Sequence, residues 1–282
     1  IDSSITTGHD SNEDDKGDTR SHFFANSKID LKLENFLSSN LEINFEKSSN
    51  DTYLQLFDFL RSPLLIGKNT STLESLITLD LGHEDYDLET TVAMYENTGG
   101  RNQDRYYYVL PSYSFQKTFD LENINGTFSF SSGGTNSLSQ TNVKASTVNN
   151  TLSLETYNKF FSNGIKTSFN GIIKNTNSIG SNSAVYKNTP QSELISIYKY
   201  NISLPLAKNT ENYVNKLTPR LSFIASPHDM KNNSETGRTI NVDNVFSIDR
   251  LGLGNSFEAG QSLVLGIDFT KEKLNTQMVD GI

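Results

Sequence analysis

Asp10, Asn12 and Asp14 place oxygen ligands at the spacing with which a calcium-binding loop begins. A complete loop needs a turn-forming glycine at its sixth position and a bidentate glutamate at its twelfth; Asp15 and Ser21 stand there. A solvated acidic loop, capable at most of weak cation binding at a cell surface, is the expectation for this run. Four histidines, His9, His22, His83 and His228, could each serve a Ser–His–acid triad, but no Gly-x-Ser-x-Gly elbow accompanies them. Gly252-Leu-Gly254 opens a dinucleotide-like pattern that fails at Phe257, where the third glycine belongs, and no βαβ unit surrounds it. Gly67-Lys68 lacks the upstream glycine of a phosphate loop, and Asn125-Gly-Thr127 is a glycosylation triplet frequent in any Asn/Ser-rich chain. Cysteine is absent, which removes disulfides and thiolate metal sites from this stretch. The expectation is therefore no enzyme, no cofactor and no resident metal.

The elements that carry these residues alternate with a period of two. Ile29-Asp-Leu31-Lys-Leu33-Glu34 and Leu41-Glu-Ile43-Asn-Phe45-Glu46 each put apolar residues on one face and polar ones on the other, as a half-wet strand does. Eleven strands are expected, near 22–34, 41–49, 72–80, 85–95, 105–117, 124–132, 148–157, 164–175, 194–204, 214–226 and 258–269. The chain of 282 residues is 34% hydrophobic, thin for one large soluble core and suited to a barrel wall with one face in water. Its net charge of −9 argues against a nucleic-acid partner. No apolar run approaches the ~18 residues of a transmembrane helix, nor a signal segment. The chain starts at Ile1, so a targeting signal is expected outside this stretch.

Short connections at 37–40, 81–84, 119–123 and 158–163 interleave with longer polar ones at 50–71, 96–104, 133–147, 176–193 and 227–257. An outer-membrane barrel segregates tight turns and long loops in this way, and strands of about nine to eleven residues match a tilted bilayer span. Tyr106, Tyr107 and Tyr108, and Tyr53 with Phe57 and Phe59, sit near strand ends where an aromatic girdle, or packing beneath a loop, would place them. The fold expected is all-β: an antiparallel transmembrane β-barrel, with 1–21 an acidic loop and 22–282 part of the barrel. By parity Asp30, Lys32, Glu34, Asp85, Asp87 and Glu89 face the lumen. Pro219 belongs at a strand start or edge, and Arg220 beside it on the wet face.

Three blocks resemble the LptD (OstA) family of outer-membrane barrels that insert lipopolysaccharide. They are Asp51, Thr52, Tyr53 and Leu54; Leu217-Thr-Pro219-Arg220; and Asp243-Asn-Val-Phe246 with Asp249, Arg250 and Glu258-Ala-Gly260. Their order and spacing also agree with the family's. The resemblance implies a fragment of a barrel of about 26 strands, a plug lipoprotein partner, LptE, and a preceding periplasmic jelly-roll domain that receives lipopolysaccharide from the periplasmic Lpt bridge. It implies further a lateral gate between first and last strands, little of which is expected here, because the stretch ends at Ile282 without a terminal aromatic. The implied function is non-catalytic: insertion of lipopolysaccharide into the outer leaflet of a Gram-negative outer membrane, with lipid against the apolar face. Two rivals stay open. One is a different outer-membrane channel, porin-like or for siderophores, which a long loop folded into the lumen would favour. The other is a surface β-rich adhesin with its apolar strips buried in protein.

Overall fold

The computed structural model describes residues 2–8, 18–49, 71–98, 105–229, 237–253 and 256–273. It is all-β and antiparallel. The strands are β1 (Asp2–Gly8), β2 (Asp18–Asp30), β3 (Ser38–Ser48), β4 (Thr72–Gly82), β5 (Tyr86–Asn97), β6 (Tyr106–Leu121) and β7 (Gly126–Ser139). They continue with β8 (Val143–Thr156), β9 (Lys159–Phe160), β10 (Lys166–Ser181), β11 (Gln191–Ser203), β12 (Leu206–Asn209), β13 (Tyr213–Ser226) and β14 (Gly260–Lys273). One sheet holds all fourteen, ordered as in the chain except that β10 sits beside β8 and carries β9, and β13 sits beside β11 and takes both β12 and β14. Among the described residues β1 pairs only with β2 and β14 only with β13, so the sheet is open. No described helix is long and apolar enough to cross a membrane.

Several expected boundaries move. Asp2–Gly8 pairs with Asp18–Phe24, so the loop expected over 1–21 narrows to 9–17, which lies outside the described residues together with His9, Asp10, Asn12 and Asp14. The expected connection 133–147 is a hairpin: β7 and β8 run to a turn at 140–142, where Gln140 and Thr141 hold positive φ. Within 176–193 the connection shrinks to 182–190. These strands escaped an alternation test because they are polar on both faces. Side-chain bonds knit them instead: Tyr113 Oη lies 3.1 Å from Ser132 Oγ, which donates to Asn150 Oδ1 at 2.8 Å. Gly134 also leaves room for the Tyr113 ring, which a Cβ there would meet at 2.4 Å.

The residues fall into two compact units. The first comprises Ile1–Lys117, Ser131–Asn150 and Thr176–Glu193; the second comprises Thr118–Phe130, Thr151–Asn175 and Leu194–Ile282. Directly opposed residues of neighbouring strands share a face. In the first unit one face carries Ile29, Leu41, Ile43, Phe45, Ile77, Leu79 and Val92, and the other carries Asn26, Asn44, Glu46, Thr78, Asp80, Glu89 and Thr91. On the apolar face Ile29, Phe45, Ile77 and Val92 are exposed, Ile77 by 51%; on the polar face Asn44, Glu46 and Ser48 are buried while Asn26, Asp80 and Glu89 are exposed. In the second unit Tyr198, Tyr200, Leu217, Phe223, Leu263, Leu265, Ile267 and Phe269 form the exposed face. The buried side there holds Ile195, Ile197, Ser222, Ile224 and Val264.

Candidate functional site

On the polar face of β11, β13 and β14 the chain returns to cover its own wall. Arg220 of β13 donates from Nη2 to Asp268 Oδ1 of β14 at 2.7 Å, and its Nε lies 2.6 Å from Oδ2 within the same ion pair. Phe246, from the connection between β13 and β14, lays its ring over that guanidinium, 4.3 Å from carbon to centroid. Gly266 lies directly across the ladder from Arg220, and a Cβ there would stand 2.7 Å from the Phe246 ring. Its missing side chain is thus the notch that admits Phe246. From β11, Lys199 Nζ donates to the Phe246 carbonyl, fixing the backbone as well as the ring.

The returning segment is shaped locally. Asn241 Oδ1 accepts from Asp243 N (2.9 Å) and Asn244 N (3.3 Å), while its carbonyl accepts from Val245 N (2.9 Å), a side-chain-supported turn that presents Phe246. Asp249 closes the next turn, its Oδ1 accepting from Leu253 N at 3.3 Å. Arg250 forks onto Glu258, with Nε to Oε2 at 2.8 Å and Nη2 to Oε1 at 2.6 Å. Phe257, fully buried, joins Ile195, Ile197 and Ile224. Gly260 begins β14 at φ +94°, a conformation closed to other side chains.

Pro219 lies inside β13, not at its start or edge as expected. Its carbonyl accepts from Leu204 N (3.1 Å), between the end of β11 at Ser203 and the start of β12 at Leu206. In an antiparallel strand a residue's N–H and C=O point to the same side, so the donor that proline lacks falls in the break between those two neighbours.

A second cluster closes the far ends of β3, β5 and β6 in the first unit. Glu96, with no exposed side-chain surface, lies 3.0 Å from Lys47 Nζ and also pairs with Arg105. Lys47 Nζ sits 4.3 Å from the Tyr106 ring centroid and bonds its hydroxyl, and Arg105 Nη2 donates to the Ser48 carbonyl at 2.9 Å. Nearby Glu46 accepts from Glu74 N (3.0 Å) and Asn44 Nδ2 (3.3 Å).

Of the parity residues, Asp30, Asp87 and Glu89 lie on the polar face in register with Asn40, Gly82 and Asp80. Lys32, Glu34 and Asp85 lie instead in the connections 31–37 and 83–85, beyond the strands, so strand parity does not extend to them. The Lys32 and Asn35 backbones turn there with positive φ. Of the three motif blocks, Arg220 and Phe246 meet directly, Pro219 lies beside Arg220 on the opposite face of β13, and Asp243, Asp249, Arg250 and Gly260 hold the segment that brings Phe246 in. Asp51, Thr52, Tyr53 and Leu54, with Phe57 and Phe59, lie outside the described residues. Sequence reasoning missed Asp268, Lys199 and the Glu96 cluster. The interruption of Leu263-Val-Leu265-Gly266-Ile267 by a lone glycine was the available signal.

His228 is enclosed by acceptor and hydroxyl groups: Nδ1 lies 2.9 Å from Ser226 Oγ and Nε2 3.3 Å from the Phe257 carbonyl. Ser226 donates to the Ser196 carbonyl at 2.7 Å, and no carboxylate among the described residues bonds the ring. His22 stacks on Phe24 and His83 on Tyr86, both at 4.7 Å. No protein-family model and no curated protein matches this chain.

Proposed function

We propose that this chain is a wall segment of a Gram-negative outer-membrane β-barrel, and that the barrel inserts lipopolysaccharide into the outer leaflet. The observation that carries the membrane reading is a continuous apolar strip: Leu263, Leu265, Ile267 and Phe269 of β14 are exposed side by side, 62–72% each. Water penalises such an apolar strip, and lipid does not. The translocator reading rests on the LptD-like blocks, two of which converge on the Arg220–Phe246 contact. On it the polar face lines a lumen for the saccharide, the apolar face meets lipid, and LptE and the periplasmic Lpt bridge are the partners, the latter through a domain outside this stretch. No bond is made or broken, so selectivity lies in lumen shape and charge. Depleting the full protein and measuring lipopolysaccharide at the cell surface tests this; unchanged surface lipopolysaccharide rules the role out.

A porin-like channel is the second reading, favoured by the return of residues 237–253 onto the polar face, as a constriction loop would do. Single-channel conductance in planar bilayers separates the two. A stable open conductance that falls for larger sugars supports the channel.

A further inference from the structure

We infer that the cavity walled by β10, β11, β13 and Phe246 binds a phosphate-type oxyanion. The cavity has a volume of about 230 Å³. Sites for drug-sized ligands run from about 300 to 1,000 Å³, so this one suits a charged headgroup more than an extended chain. Lys166, Lys199 and Arg220 converge on it in a chain whose net charge is −9. Arg220 donates from Nη2 to Asp268, while its buried Nε has no hydrogen-bond acceptor. Lys199 gives one N–H to the Phe246 carbonyl and keeps two. Its charged neighbours are Arg220 and Glu155. Neither Lys166 nor Lys199 forms an ion pair among the described residues.

Hydroxyl donors complete the lining. Asn201 donates to Ser168 Oγ at 3.2 Å and accepts from Ser222 Oγ at 2.6 Å, so the Ser168 proton remains for a ligand, as does that of Ser203. Two ammonium groups, one half-committed guanidinium and these hydroxyls suit an acceptor with three or more oxygens better than a planar carboxylate. The ligand is a phosphate group, free or carried on a saccharide. Only its delivery through a lumen rests on the membrane reading; the cavity's chemistry does not.

Titration calorimetry on the full protein in detergent, with inorganic phosphate, glucose 1-phosphate and neutral glucose as probes, tests the site. Phosphate is expected to bind and glucose not. The K166Q/K199Q variant is expected to lose at least about tenfold in phosphate affinity, two charge-assisted partners being removed. Lys166→Gln alone, at the first residue of β10, serves if the double variant misfolds, and is expected to lose at least about threefold. Tighter binding of glucose 1-phosphate than phosphate assigns a sugar-borne ligand, and equal binding the free ion. Absence of phosphate binding, or unchanged affinity in a folded variant, overturns the proposal. Phosphate binding by a protein whose depletion leaves surface lipopolysaccharide unchanged keeps the site and removes the translocator role.

Discussion

Glu96 shows what single residues contribute. It is fully buried between two cations, whereas the Lys47 and Arg105 side chains keep 38% and 26% of their surface exposed. Removing the carboxylate leaves two charges that water can partly reach, so Glu96→Ala is expected to cost about 3 kcal/mol, the low end for a broken buried pair. Urea unfolding in detergent, followed by tyrosine fluorescence in this Trp-free chain, measures it; an unshifted midpoint would show that the cluster adds no net stability. Gly266 acts by absence. Gly266→Ala sets a methyl 2.7 Å from the Phe246 ring and must displace it from Arg220. Trypsin should then cut at Arg238 and Arg250 roughly tenfold faster, as expected when local opening costs about 1.4 kcal/mol less. Equal rates would mean that Phe246 does not hold the segment. Arg220 was legible from sequence as a wet-face residue beside a proline. Its partner was not, because Asp268 lies 48 residues away and only the ladder makes them neighbours.

At the scale of elements, β13 is the organising strand, paired with β11, β12 and β14. Pro219 is tolerated in it because its missing donor faces the break after Ser203. Pro219→Thr should therefore change stability by no more than about 0.5 kcal/mol, as a substitution that touches no special feature does. Leu221→Pro, two residues on and opposite Ile202, deletes a donor that the ladder uses and, on the proposed barrel reading, should abolish the folded, heat-modifiable form. If both variants migrate alike on unheated gels, the break has no such role. Strands with clean alternation, such as β3, β5 and β14, were readable because the side-chain period is local. The extended β7–β8 hairpin was not, since Ser, Thr and Asn on both faces carry no period and cross-strand bonding alone defines it.

For the whole molecule the decisive property is which face meets solvent. Leu265 is 72% exposed in a continuous apolar strip. If lipid covers that strip, Leu265→Lys costs about 2–4 kcal/mol at the midplane and should lower the yield of protein assembled in the outer membrane. A protein whose strip faces water would accept the same lysine and gain solubility, so unchanged or improved recovery from the soluble fraction counts directly against a barrel. In the first unit Asp80 and Glu89 stand opposite each other across β4 and β5, on the face away from Ile77 and Val92.

The sequence by itself determined that this chain is a succession of antiparallel strands, many of them with one apolar and one polar face. It could do so because alternation is written within a few consecutive residues and depends on no distant partner. Tertiary structure alone decided which face is buried, where the strands end, and that Arg220, Phe246, Gly266 and Asp268 form one site. Those outcomes depend on register, and register is set by the summed pairing of whole strands and by a chain that returns to pack on them, neither of which any short window of sequence contains.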